Sequence, residues 1–183
     1  MTCIVGIVHD GKVQIGGDSA GVSGLDLRIR KDEKVFTNGD FVFGCTSSFR
    51  MIQLLRYKLQ VPKRHPDTEV MAFMTTTFID AVRSCFKEGG FAERKQEVEQ
   101  GGTFLVGHGG RLFCIYDDYQ VAECTDGFDA CGCGEPFALG ALHSTLSRQD
   151  LTPREKLEKA LVCAAYFSAG VVGPFVFVEG AAA

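Results

Sequence analysis

A four-layer αββα sandwich, an α+β fold with two antiparallel sheets between two helix layers, is the architecture this sequence predicts. Three observations point to it. Strand-like segments fall into two separate blocks, each block is followed by a pair of helices, and tight turn signals separate the strands within a block. At 183 residues, 45% of them apolar and 23% charged, the chain has the composition of one compact unit rather than of a disordered or coiled-coil protein. That unit is expected over residues 1–180, with residues 181–183 (Ala-Ala-Ala) a frayed tail or a vector-derived scar.

The first block opens with Cys3-Ile4-Val5-Gly6-Ile7-Val8 and Lys12-Val13-Gln14-Ile15-Gly16-Gly17, joined by Asp10-Gly11. That dipeptide favours the left-handed turn of a short hairpin. A second hairpin is expected from Lys34-Val35-Phe36-Thr37 and Phe41-Val42-Phe43-Gly44-Cys45, turning at Asn38-Gly39. A helix capped at Ser47 or Ser48 then carries Met51, Ile52, Leu55 and Leu59 on one face and stops before Pro62. Asp67 or Thr68 caps a second helix, in which Val70, Met74, Phe78, Val82 and Phe86 recur at intervals of four up to Gly89-Gly90.

The second block holds strands over 103–107, 111–116 and 120–124, the first two bracketing Gly109-Gly110. A helix follows over about 135–146. The best-marked helix starts at Thr152, with Pro153 at its first position and Glu155 completing a capping box. A closing strand is expected over Phe175–Val178.

Composition excludes several classes of function. Net charge is −4, and the densest basic run (Arg28, Arg30, Lys31, Lys34) is diluted by Asp26, Asp32 and Glu33, so no nucleic-acid footprint is present. The uncharged run from Ala160 to Val178 approaches the length of a membrane span. Ser168, Gly170, Gly173 and Pro174 interrupt it, so it reads as a buried helix, a break and a buried strand, with no membrane partner. Apolar alternation begins at residue 4 without a charged leader, and a cytoplasmic location is expected. The eight cysteines lie mostly in apolar runs and are expected to be reduced thiols. Cys131-Gly132-Cys133, with Cys124 nearby, fits no zinc spacing, so neither metal nor cofactor is expected. The four histidines have no evident nucleophile partner and are expected to be surface or satisfied residues.

Chemistry concentrates at three positions. Thr2 becomes the first residue once Met1 is removed, which places a hydroxyl nucleophile and a free α-amine on one residue. An α-amine has an ordinary pKa of about 7.7–8.0 and serves as a base near neutral pH. Asp18 ends the second strand, and the hairpin returns it to the start of the first, beside Thr2. Lys34 opens the next hairpin. A cation there would lower the pKa of the hydroxyl and the amine, with Asp18 holding it in place.

Thr2-Cys3-Ile4-Val5-Gly6, Gly11-Lys12-Val13, Ile15-Gly16-Gly17-Asp18-Ser19 and Lys34-Val35 together resemble the opening of proteasome β-type subunits. In layout they are nearer to the bacterial HslV-type peptidase. The likeness continues through Val42-Phe43-Gly44-Cys45-Thr46-Ser47-Ser48, similar to the family's oxyanion turn, and returns at Leu151-Thr152-Pro153-Arg154-Glu155. The resemblance implies a threonine-type N-terminal-nucleophile hydrolase acting on polypeptides. Thr2, Asp18 and Lys34 match as nucleophile, charge partner and pKa-lowering lysine, and Ser47 matches as the oxyanion donor, or Ser48 if the register slips by one. It also implies a homo-oligomeric ring enclosing its active sites and, by analogy, an ATP-dependent unfoldase partner.

Two positions depart from that pattern. Ala141, after Phe137-Ala138-Leu139-Gly140, stands where the family's amine-binding Ser is expected. The segment Ala165-Tyr166-Phe167-Ser168 keeps Ser168, a supporting residue, but lacks the acid that precedes it in the family. Gly21, Asp32 and Phe36 are expected by spacing to line the substrate cleft without defining a cleavage preference. A weak or inactive ring-forming subunit is the alternative these departures leave open. Cys3-Ile4-Val5-Gly6 also resembles the start of amidotransferases with an N-terminal Cys, but their further motifs are missing.

Overall fold

The computed structural model describes residues 1–91, 93–95 and 98–181. The rest of the expected tail, residues 182–183, lies outside the described residues. Strands β1 (Cys3–His9) and β2 (Lys12–Gly17) open the chain, followed by a ribbon of β3 (Ala20–Ser23) and β4 (Asp26–Ile29). Then come β5 (Val35–Asn38), β6 (Phe41–Cys45) and helix α1 (Phe49–Tyr57). Helix α2 (Val70–Phe73) runs through a π-helical turn, Met74–Phe78, into α3 (Ile79–Glu88). A second ribbon, β7 (Glu93–Lys95) and β8 (Val98–Gln100), precedes β9 (Phe104–His108), β10 (Arg111–Ile115), β11 (Val121–Ala122) and β12 (Phe128–Gly132). Helices α4 (Glu135–Thr145) and α5 (Pro153–Phe167) and strand β13 (Val176–Glu179) complete the chain.

Two antiparallel sheets organise these elements, one ordered β12-β1-β2-β13 and the other β11-β10-β9-β6-β5. Three buried clusters show how they stack. A Phe-rich cluster, including Phe41, Phe43, Phe78, Phe86 and Phe104, joins the five-stranded sheet to α1 and α3. Ile4, Val13, Ile15, Val35, Val42 and Leu105 fill the space between the sheets. Cys3, Val5, Ala138, Leu157 and Leu161 join the four-stranded sheet to α4 and α5. The four-layer sandwich follows from these contacts.

Strand alternation explains the layering. Cys3, Val5 and Ile7 of β1 face the helices, while Ile4 faces the other sheet. On β6 the same period sends Phe41, Phe43 and Cys45 to the helix side and Val42 to the sheet side. Gly44 sits where the sheets come closest: a Cβ there would lie 2.4 Å from Ile4 Cγ2 and 2.5 Å from Ile15 Cγ2.

Several details differ from the sequence expectations. Strand β12 was not anticipated, because Phe-Asp-Ala-Cys-Gly carries little intrinsic strand preference. It forms by pairing with β1, Cys3 opposite Gly132 through Ile7 opposite Phe128. The two ribbons were also unforeseen, and every residue of β4 is exposed, so no buried face announced it. The second hairpin turns at Gly39-Asp40, because Asn38 pairs with Phe41. Glu69, rather than Asp67 or Thr68, caps α2 by accepting from the Ala72 N–H at 2.8 Å. Two hydrogen bonds from the backbone of Met71 and Ala72, together with Arg111, hold its carboxyl at about 2. The last strand starts one residue later than expected and is only half-buried. The capping box at Thr152 and Glu155 forms as expected.

No helix among the described residues is long and apolar enough to cross a membrane. Eight thiols are free; Cys3, Cys45, Cys85, Cys114 and Cys131 are buried, while Cys124 and Cys133 are exposed. Replacing Gly44 by Ala should wedge the sheets apart and cost about 1–3 kcal/mol, measured as a lower urea midpoint at unchanged m-value.

Candidate active site

The first hairpin places two of the three chemical residues. Antiparallel register sets Ile4 opposite Gly17, so the residues just beyond each strand end, Thr2 and Asp18, meet at one edge. Asp18 is anchored by backbone: its N–H donates to Cys3 O at 3.3 Å, and its Oδ1 and Oδ2 accept from the N–H groups of Cys3 and Ala20, each at 2.9 Å. Lys34 arrives from the other sheet, immediately before β5, where its carbonyl accepts from Cys45 N at 2.9 Å. Its Nζ donates to Asp18 Oδ1 at 2.9 Å, to Asp18 Oδ2 at 3.0 Å and to Thr2 Oγ1 at 2.8 Å.

All three side chains are withdrawn from water, with Thr2, Asp18 and Lys34 only 6%, 1% and 3% exposed. Burial pushes the Lys34 ammonium below its ordinary pKa, and the Asp18 charge and hydrogen bonds act in the opposite direction. The neighbouring Cys3 thiol is pushed up to about 12, chiefly by burial and then by the Asp18 charge. Cys3 is therefore a buried, protonated wall of the site and a poor nucleophile.

With Met1 attached, its carbonyl accepts from Thr2 Oγ1 at 2.5 Å and from Lys34 Nζ at 3.4 Å. While that peptide bond lasts, the Thr2 nitrogen is an amide without a basic lone pair.

The turn after β6 forms the opposite wall of a cleft of about 80 Å³ shared by Thr2, Lys34, Ser47 and Phe49. Ser47 adopts a left-handed conformation, φ 56°, one that glycine enters more easily. Its Oγ holds the Thr103 N–H at 3.1 Å. The Ser47 N–H has no acceptor among the described residues, whereas the Ser48 N–H is already given to Thr46 O at 2.7 Å. Ser48 instead caps α1 through its side chain.

Thr2's own backbone meets a group that the sequence reasoning passed over. The Thr2 N–H donates to Cys133 Sγ at 3.2 Å, the Cys133 thiol donates to Thr2 O at 3.3 Å, and the Ser168 hydroxyl donates to Cys133 Sγ at 3.4 Å. Gly132, at φ 101°, lets the chain pass directly beneath Thr2, where a Cβ would lie 2.3 Å from Thr2 O. Gly134 N completes the wrap, donating to the same carbonyl at 3.4 Å. The Gly132-Cys133-Gly134 segment at a strand-to-helix junction was the available signal. Ala141 lies further on, within α4, its carbonyl occupied by the Ser144 and Thr145 hydroxyls. Missing side-chain chemistry there does not leave the Thr2 nitrogen without a neighbour.

The remaining predicted positions divide. Gly21 lines a second pocket with Arg28, Arg30 and Phe49. Asp32 holds Arg30 in a two-toothed ion pair, at 2.7 and 2.5 Å. Phe36 is a core residue instead, stacked on Phe43 with ring centroids 5.1 Å apart. His108, expected to be a surface or satisfied histidine, is half-buried and stacks on Phe41 with ring centroids 4.1 Å apart. Among the described residues no cluster of three or more His, Cys, Asp or Glu is arranged to hold a metal ion.

The four-layer sandwich is a fold that solved structures share. The chain resembles the Thiobacillus denitrificans protein BPH, solved in complex with epoxomicin, at TM-score 0.83 and 20% identity over 100% of both chains. It also resembles a eukaryotic HslV from Trypanosoma brucei, at TM-score 0.69 and 17% identity over 97% of this chain and 98% of that one. A third likeness is to Anbu, described as an ancestral beta-subunit, from Yersinia bercovieri, at TM-score 0.65 and 16% identity over 98% and 81%. No protein-family model matches the chain.

Lys34→Ala should cost about 3–5 kcal/mol in urea unfolding, because it strands a buried carboxylate. The Asp18→Ala, Lys34→Ala double variant should lose clearly less than the sum of the single losses.

Proposed function

We propose that this protein is a threonine endopeptidase that uses Thr2 as its nucleophile once Met1 has been removed. The observation that carries the proposal is the contact of Lys34 Nζ with Thr2 Oγ1 at 2.8 Å inside a buried ion pair with Asp18. An inactive subunit has no chemical need for a desolvated lysine aimed at a threonine hydroxyl. Holding that lysine in place with a fully buried aspartate is a costly arrangement to keep for structure alone.

Removal of Met1 frees the Thr2 amine, which takes the hydroxyl proton as Oγ1 attacks the substrate carbonyl. The adjacent Lys34 ammonium stabilises the oxygen as it loses that proton. Negative charge then grows on the substrate oxygen, towards which the unspent Ser47 N–H is the available donor. One such donor is typically worth about 10²–10³ in rate. The protonated amine gives its proton to the departing amine of the substrate, and the C–N bond breaks to leave an ester on Thr2. Water, deprotonated by the same amine, hydrolyses that ester, releases the acid product and restores Oγ1–H.

By its resemblance to proteasome β-type subunits we extend the proposal to a cytoplasmic ring of copies of this chain, fed by an ATP-dependent unfoldase. The alternative, a catalytically silent ring subunit, is favoured by the two departures from the family pattern, at Ala141 and Ala165.

Two tests separate them. Incubation with epoxomicin should add one inhibitor mass to the Met1-less chain, localised to Thr2, with no adduct on Thr2→Ala; a Met1-less chain that stays unmodified would favour the silent subunit. Light scattering coupled to gel filtration should give a particle many times the mass of one chain. A stable monomer would remove the ring.

A further inference from the structure

We propose that this peptidase selects substrates carrying an acidic side chain, Asp or Glu, which enters a pocket beside the Thr2 cleft and meets the guanidinium groups of Arg28 and Arg30. This selection rests on the threonine-peptidase reading above and adds a substrate class to it.

The pocket adjoins the site of chemistry. It holds about 360 Å³, and Val22 and Phe49 line both it and the cleft at Thr2. Phe49 forms the partition: the Arg30 guanidinium lies 3.8 Å from its ring centroid and the Lys34 ammonium 5.9 Å from the same centroid. Gly21 makes room for Arg30, because a Cβ there would lie 2.7 Å from Arg30 Cδ. Asp32 then fixes one edge of the guanidinium, accepting from Nε at 2.7 Å and from Nη2 at 2.5 Å. Those bonds hold the Asp32 carboxyl below its ordinary range, so the pair is intact at neutral pH. Arg30 is thus a planar donor held on one face by Phe49 and on one edge by Asp32. Its Nη1 has no acceptor among the described residues.

Charge along the β3–β4 ribbon decides which side chain fits. Strand alternation puts Asp26, Arg28 and Arg30 on the face that lines the pocket. Asp32 neutralises Arg30, but Arg28 has no hydrogen bond or ion pair among the described residues and supplies the unpaired positive charge. Asp26 stands opposite Ser23 at the far end of the ribbon. At the rise of a strand it is about 13 Å from Arg30, whereas Arg28 is about half as far. A carboxylate between Arg28 and Arg30 would accept from both, in the charge-assisted geometry that a guanidinium favours. A lysine side chain in the same place would face two like charges. A neutral amide could use Arg30 Nη1 but would gain nothing from the charge of Arg28.

The experiment measures kcat/KM on fluorogenic peptides in which each position before the cleaved bond is Glu, Gln or Lys in turn. Wild type, Arg28→Gln and Arg28→Glu are compared, each freed of Met1, and melting curves check that all fold. At one position the wild type should favour Glu over Gln by about tenfold, within what a partly exposed charge-assisted hydrogen bond supplies. Arg28→Gln should reduce that ratio to about two- to threefold, and Arg28→Glu should reverse the selection, so that the Lys peptide is cleaved faster than the Glu peptide. Arg148→Gln removes an exposed arginine from the loop between α4 and α5 and should keep the wild-type ratio. Peptide epoxyketones carrying Glu or Gln at the same position give the same comparison as a rate of adduct formation on Thr2. Equal rates for Glu and Gln at every position, an acid preference that survives Arg28→Glu, or a ratio that falls as far in Arg148→Gln as in Arg28→Gln would overturn the selection and leave the peptidase proposal intact. A Met1-less wild type that neither cleaves the peptides nor takes an epoxyketone would overturn both.

Discussion

The Asp18–Lys34 ion pair is the constraint from which the rest of this structure is best understood. Both charges are almost fully buried, so each carries a desolvation cost that only close pairing and full hydrogen bonding can offset. Asp18 meets that condition with two backbone N–H groups and the lysine, and Lys34 meets it with the carboxylate, Thr2 Oγ1 and the Met1 carbonyl. The satisfied network ties the start of β1, the end of β2 and the start of β5 into one point. That point lies where the two sheets meet, and it determines where Thr2 sits.

Close backbone approach does the complementary work. Gly44 brings the sheets near enough for Lys34 of one to reach Asp18 of the other, and Gly132 brings the strand-to-helix junction beneath Thr2. Three walls then surround one hydroxyl: the ion pair below, the Ser47 turn across the cleft, and the Cys133 loop behind the backbone nitrogen. Each wall comes from a different stretch of chain. Helix α1 adds Phe49 to the cleft, while α4 and α5 hold β1 from one side and α1 and α3 hold β6 from the other. Thr2 is thereby held between layers that are each packed from both sides.

The likenesses to BPH, HslV and Anbu fit this division. The fold is shared at only 16–20% identity, as expected when volume and patterning rather than particular residues specify a core. Exposed aromatic residues on α4 and α5, among them Phe137, Tyr166 and Phe167, stack on one another at ring separations near 5 Å. They give that outer layer an apolar character that the inner layers do not need for their own stability.

What the sequence determined by itself was local. The Asp10-Gly11 turn fixes the register of β1 against β2, so the adjacency of Thr2 and Asp18 could be read from a seventeen-residue stretch. The capping box at Thr152, the helical period through Phe86 and the alternation of β6 were legible for the same reason, because the deciding contacts lie within a few residues along the chain. Tertiary structure decided the rest. Glu69 displaced the expected cap because Arg111, forty-two residues away, holds its carboxylate. Strand β12 exists only against β1, Ser47 takes a left-handed turn to reach Thr103, and Cys133 meets the Thr2 nitrogen across a separation of 131 residues. Such contacts depend on how two sheets stack, and stacking is settled by the summed fit of many apolar side chains, which no short stretch of sequence specifies.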